Sequence, residues 1–318
     1  MPNYQGVWSL SEQLQNAGIW PEAPPALTPV ALFGGGQIDS GGLTGTNAID
    51  EINISSLGNS SDFGDLTTTR NPAGAVGSAL RGVFMGGGSN VIDFVLFASS
   101  GNATDFGDLL NSPGRAQECS NGTRGVLSGG DSAGNVIQYI TIASAGNATD
   151  FGDLTLARKE GCGFASTTRG VFAGGDPGVV NVIDYITIAT VGNATDFGDL
   201  STGSLNSAGA SSPTRGVIQI AQTASSTYVN TIEYVTIAST GNSTDFGDAV
   251  SAIANRGAAS THTRAVFASG SIFSGSTTVY NLIEYITIAT TGNGTDFGDM
   301  LQTGRFRRGC SAGHGGLA

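Results

Sequence analysis

Apolar and polar residues along this chain fall into short runs that recur, unit after unit. The stretch 182–190 shows the type: Val182, Ile186 and Ile188 lie on one face, and Ile183, Tyr185 and Ala189 on the other. The run is β-branched and aromatic, with no helical period, so it predicts a strand. A strand apolar on both faces predicts a sheet covered on both sides. Three further runs complete a unit. A small-residue segment at 161–166 comes first, then an apolar segment ending in Gly-Gly at 169–175. After the β-branched run comes the tetrapeptide Asp196-Phe197-Gly198-Asp199.

That tetrapeptide occurs six times, beginning at Asp62, Asp105, Asp150, Asp196, Asp245 and Asp296, with spacings of 43 to 51 residues. Each copy follows Gly-Asn-x-(Ser/Thr). A period near 45 with four strands per unit predicts radially stacked four-stranded sheets, an all-β six-bladed β-propeller. The ends predict how the ring closes. The first unit, from Val30, lacks a first strand, and the tail Gly309-Cys310-Ser311-Ala312 has the pattern of a first strand with nothing after it. The C-terminal segment is therefore expected to complete the N-terminal blade and remove an open edge. Residues 1–28 lie outside the repeat, and 29–318 form the propeller.

Composition narrows the function. Fifty glycines without a Gly-X-Y period fit a turn-rich β fold, and 39% hydrophobic residues argue against disorder. The formal charge of −12 argues against nucleic acid or an anionic membrane as partner. The start shows no basic region followed by an apolar run, and no run approaches a membrane span. Cys119, Cys162 and Cys310 are too few to form a disulfide framework and are expected as reduced thiols at small-residue places of the inner strands.

Several motifs resemble chemistry. Asp-Phe-Gly occurs in protein kinases, but six copies without a strand lysine or a His-Arg-Asp loop read instead as turns whose Asp satisfies backbone donors. The oxygen-rich Asn-x-Thr-Asp-x-Gly-Asp lacks calcium-loop spacing, so no metal is expected. The Asn-x-(Ser/Thr) sites at Asn59, Asn102, Asn147, Asn193, Asn242 and Asn293 read as Asx-turns. Arg81, Arg124, Arg169, Arg215 and Arg264 recur before the second strand and are expected to join blades by pairing with Asp105, Asp150, Asp196, Asp245 and Asp296. With only His262 and His314 and no nucleophile–base–acid set, no catalytic residue and no cofactor are expected.

Phe172-Ala173-Gly174-Gly175, then Tyr185, then Phe197 resembles the kelch repeat, with Phe where kelch units usually carry Trp. The unit from Tyr285-Ile286-Thr287-Ile288-Ala289 to Thr295-Asp296-Phe297-Gly298-Asp299 looks like arrays in proteins of tailed bacteriophages. Tyr4-Gln5-Gly6-Val7-Trp8-Ser9-Leu10 looks like the start of some phage tail and virion proteins. The resemblance implies a non-enzymatic virion protein, tail- or fibre-associated and assembled in the host cytoplasm. It would be part of a multi-subunit assembly and would bind a host-surface glycan or protein. A carbohydrate-binding module of cellular role is the alternative, and a glycan-cleaving enzyme a third reading. That third reading would need acids and arginines clustered in the central funnel.

Two regions are expected to make contacts. In the N-terminal arm, Ser9-Leu10-Ser11-Glu12 reads as a capping box, with Leu10 and Leu14 on one helix face and a Pro-rich spacer after it. Trp8, Leu10, Leu14 and Trp20 are the expected attachment residues. On the propeller, the connection between second and third strands is long at 37–46, 222–229 and 271–280, in consecutive blades. Tyr228, Phe273 and Tyr280 there are the expected binding residues.

Overall fold

The computed structural model describes residues 29–39, 41–131, 134–224 and 227–317. The expected attachment residues Trp8, Leu10, Leu14 and Trp20 lie outside these. Among the described residues every regular element is a strand, and the sheets are arranged as a β-propeller.

Each sheet is an antiparallel meander from the axis outward. The fourth is typical: Cys162–Ala165 pairs with Arg169–Gly175, which pairs with Val180–Thr187, which pairs with Thr195–Asp199. Five sheets have four strands. Beside a separate two-stranded hairpin, Gln222–Ala224 with Thr227–Tyr228, a sixth large sheet departs from the expected uniform blade and runs to seven. Its strands Gly257–Ser260, Arg264–Ala268, Thr277–Thr287 and Thr295–Arg305 follow the same order, Gln37–Asp39 and Leu43–Gly45 from the first repeat extend it, and Ser271–Phe273 pairs with Thr277–Thr287 as the seventh. The physical reason is length. The two outer strands have 11 residues each, so the last one reaches far enough for Gly304 and Arg305 to pair with Ile38 and Gln37.

The two ends of the described chain meet in one sheet. Arg308–Ser311 pairs antiparallel with Val30–Gly34, placing Cys310 opposite Leu32. The innermost strands then touch in a closed cycle from Gly74–Gly77 round to Arg308–Ser311 and back. Each hydrophobic cluster bridges two successive sheets. One joins Val83, Ile92 and Phe106 to Leu127 and Ile140, and another joins Ile283 and Phe297 to Phe33 and Ile52 across the closure. This is why the third strands are apolar on both faces.

The repeated motif works at the seams between sheets. Asp-Phe-Gly-Asp forms the outermost strand, as in Thr195–Asp199, and is not the expected turn. The Gly-Asn-x-(Ser/Thr) segment of the next sheet lies against it. At one seam the Gly241 N–H donates to the Phe197 carbonyl, the Ser243 N–H to the Asp199 carbonyl, and the Asp199 N–H to Asn242 Oδ1. The same three bonds recur at every seam, ending with Asn59 Oδ1 accepting from Asp299. The asparagines are thus inter-sheet acceptors rather than Asx-turns. The close approach also explains the glycine. Gly198 has φ +146°, and a Cβ there would stand 2.5 Å from the Gly241 oxygen.

The recurrent arginines do join sheets, but not through the aspartates. The Arg169 guanidinium lies 4.5 Å from the Tyr185 ring centroid and donates to the Ile237 carbonyl of the next sheet at 3.0 Å. Arg81, Arg124, Arg215 and Arg264 repeat this. An aromatic face and a carbonyl pointing at the same spot hold a guanidinium without desolvating a second charge, whereas the aspartates face solvent. Tyr185 in turn packs edge-on against Phe197, with centroids 5.9 Å apart.

Candidate functional site

Two places depart from the repeat. The first is a crest of hairpins built from the long connections. These are paired strands rather than irregular loops: Gln37–Asp39 with Leu43–Gly45, Gln222–Ala224 with Thr227–Tyr228, and Ser271–Phe273 with Thr277–Thr287. The structure brings Tyr228 and Phe273 together, with the Phe273 N–H donating to the Tyr228 hydroxyl at 2.9 Å. Phe273 is 51% exposed and Leu43 37%. Tyr280 sits lower in the same hairpin as Phe273. It is half-buried, and its N–H donates to the Gly270 carbonyl. Arg305 Nε donates to Gln37 Oε1 at 2.9 Å, tying the first hairpin to the sheet beside it.

The second place is the axis, which sequence reasoning missed. Just before each innermost strand one repeat position reads Pro72, Arg115, Glu160, Asn206, Asn255 and Phe306. The last five have φ between +53° and +62°, a left-handed conformation that costs non-glycine residues about 1–2 kcal/mol each. Neighbours support one another. Glu160 N–H donates to the Arg115 carbonyl, Asn206 to Glu160, Asn255 to Asn206, and Phe306 to Asn255. All five residues line one small cavity of about 20 Å³ together with Arg308. Divergence of this one column among otherwise alike repeats was a visible signal. That the column encircles the axis was not.

Below this mouth lies an axial cavity of about 70 Å³, walled by Ala75, Gly163, Gly209, Ala258 and Gly309, with Glu118 and Arg308 as its charged residues alongside Arg256. Arg256 is committed elsewhere: its buried guanidinium pairs with Glu284 at 2.5 Å. Glu118 opens onto the cavity with 17% of its side chain exposed, and its Oε2 has no hydrogen-bond partner. Burial pushes its carboxyl up to about 7, against the pull of Arg308. At the mouth, Arg115 holds Asp131 at 2.7 Å and bonds Glu160, and Lys159 reaches Asp131 at 2.9 Å.

The other end of the axis is closed. Ser120, Ser211, Ser260 and Ser311 each donate a hydroxyl to a carbonyl of the neighbouring inner strand. The segment 312–317 then crosses this ring. His314 Nε2 donates to the Gly77 carbonyl at 2.9 Å, Gly316 N–H donates to His314 Nδ1, and Gly315 N–H to the Ser211 carbonyl. Burial pushes His314 down to about 4, consistent with a neutral ring in that bonding pattern.

The thiols play no part in this chemistry. All three cysteines are free and buried, and burial pushes Cys162 up to about 12 and raises Cys119 and Cys310 as well, which removes thiolate reactivity. Among the described residues no group of three or more His, Cys, Asp or Glu converges as a metal site.

No protein-family model and no curated protein matches the chain. Among solved structures, one titled "Structure of YjhT" is similar, with a TM-score of 0.62, over 74% of this chain and 86% of that one, at 9% identity. At that identity the likeness is one of fold alone, and the fold is the β-propeller.

Proposed function

We propose that the chain is a non-enzymatic binding module: a six-bladed, kelch-like propeller in which the seven-stranded sheet serves as the sixth blade. Its hairpin crest contacts a partner. The observation that carries this reading is the joining of the crest across sheets. Tyr228 bonds the backbone of Phe273, Gln37 bonds Arg305, and exposed Phe273 and Leu43 stand on the resulting ridge. A drifting set of loops has no reason to be cross-tied while leaving an aromatic bare, and bare aromatics on a rigid support are the usual anchors of an interface. With the resemblance of the repeat to phage arrays, the reading extends to a virion protein. Residues 1–28, through Trp8 and Trp20, attach it to the particle, and the crest contacts a host-surface glycan or protein, or a neighbouring subunit.

The test replaces 37–46, 222–229 and 271–280 with the short connection of the second sheet, around Ser89. The expected outcome is an intact β spectrum and melting transition with partner or host binding abolished. Unchanged binding sinks the crest as the contact surface. Electron microscopy of the native particle, showing where the propeller sits, tests the virion reading separately.

A carbohydrate-binding role has its own support at the axial mouth. There the Phe306 ring stands with the Asn206 and Asn255 amides and the Arg115–Glu160 pair, a combination of apolar face and polar edge suited to a hydroxylated ligand.

A further inference from the structure

The axial cavity is a blind pocket. The 312–317 segment closes one end, and the left-handed ring opens the other toward a wider depression of about 370 Å³ that includes Arg115, Asp131, Phe306 and Arg308. Arg308 alone lines the axial cavity, the mouth and this depression. It is also poorly satisfied. Its contacts with the Pro72 and Ala116 carbonyls are 3.4 Å each, and Glu118 is 3.8 Å away, all at or beyond the long limit of a hydrogen bond. By contrast the buried arginines Arg70, Arg158, Arg256 and Arg307 each hold a carboxylate at 2.5–2.7 Å. A guanidinium fork 15% exposed to a small-residue pocket and without a close acceptor is arranged to receive one.

We propose that this blind axial pocket binds the carboxylate or phosphate group of a small acid, with Arg308 as the recognising cation. Glu118 decides when. The charged and titratable groups around it are Arg308, the thiols of Cys119 and Cys162, Arg158 behind Cys162, and His314 at the closed end. The thiols and His314 are neutral near pH 7, and Arg158 is committed to Asp184. When Glu118 is ionised it competes with an incoming anion for Arg308. When it is protonated it stops competing and no longer repels the anion. Binding therefore takes up a proton from solvent onto Glu118. The opposite assignment, a cation on Glu118, is opposed by Arg308 beside it and Arg256 in the same wall. This inference concerns a site apart from the crest and stands whether or not the crest binds a partner.

The experiment titrates the full chain with acetate, lactate and phosphate, against sodium chloride of equal ionic strength, by calorimetry and by chemical shift of the arginine Nε–H groups. Acetate and lactate report the carboxylate source and phosphate the phosphoryl one. Saturable binding is expected from at least one arm, with an Arg308 Nε–H shift. For acetate, affinity should weaken about tenfold between about pH 6 and pH 8, as Glu118 ionises. Glu118→Gln should bind with that pH dependence gone, and Arg308→Gln should lose at least about tenfold. No saturable binding up to about 10 mM in any arm overturns the proposal. So does wild-type pH dependence retained in Glu118→Gln, a measurement that decides the matter even where Arg308→Gln fails to fold.

Discussion

The rim and the mouth of this propeller are built from repeat positions of the same six units, and they behave in opposite ways. At the rim, Gly-Asn and Phe-Gly-Asp stay alike at every seam, and each Phe-Gly-Asp glycine sits at positive φ against a neighbouring carbonyl. At the mouth, an equally unusual conformation is imposed on Arg115, Glu160, Asn206, Asn255 and Phe306, none of them glycine and no two neighbours alike except the asparagines. The Phe-Gly-Asp glycines are there because nothing larger fits. The mouth has room for side chains and keeps them despite the backbone cost. Uniformity thus marks packing, and variety at a strained position is the reason for proposing the mouth as the ligand-facing side.

Three experiments press on this contrast. The largest effect is expected from deleting 306–318, which removes the strand opposite Val30–Gly34, the Arg307–Asp50 pair and the axial closure together. Rim and mouth should both be lost, giving insoluble or non-cooperatively unfolding protein; a soluble deletion with a sharp calorimetric transition would falsify the closure scheme. Next, Gly198→Ala at the rim sets a methyl 2.5 Å from the Gly241 oxygen. A cost of about 2–4 kcal/mol by denaturant unfolding is expected, and a neutral result would mean the seam can yield. The smallest effect belongs to the mouth. Asn206→Gly relieves the strain at φ +55° but loses the side chain's bond to Gln222 Oε1 at 3.0 Å. The two nearly cancel, so a change within about 1 kcal/mol is expected, with ligand affinity rather than stability the quantity that moves. A large stability loss there would erase the distinction between the two regions.

The expected roles show where sequence reading stopped. Strand identity, meander order and the joining of the tail strand to the strand from Val30 followed from period-two patterning and from the incomplete first and last units, whereas the register that sets Cys310 opposite Leu32 did not. The arginines were recognised as links between sheets but given the wrong partners, because an aspartate is visible in the sequence as a charge while the Ile237 carbonyl is not. Likewise Asn242 was assigned to its own turn, since a local bond can be read from neighbours in the chain and a bond to Asp199 cannot. Tyr228 and Phe273 were singled out from loop length, but their mutual bond depends on two hairpins from adjacent sheets converging.

By itself the sequence determined what is local or periodic: which segments are strands, how many residues separate them, and where small residues must recur. These depend on backbone sterics and alternation, which each residue carries with it. Only the tertiary structure decided what the ring does with those segments. Closure carries Arg308 from the end of the chain to within reach of Glu118, some two hundred positions earlier, and folds 312–317 across the far opening. It also desolvates an otherwise ordinary glutamate. Burial and juxtaposition are properties of the assembled circle, and no window of residues along the chain contains them.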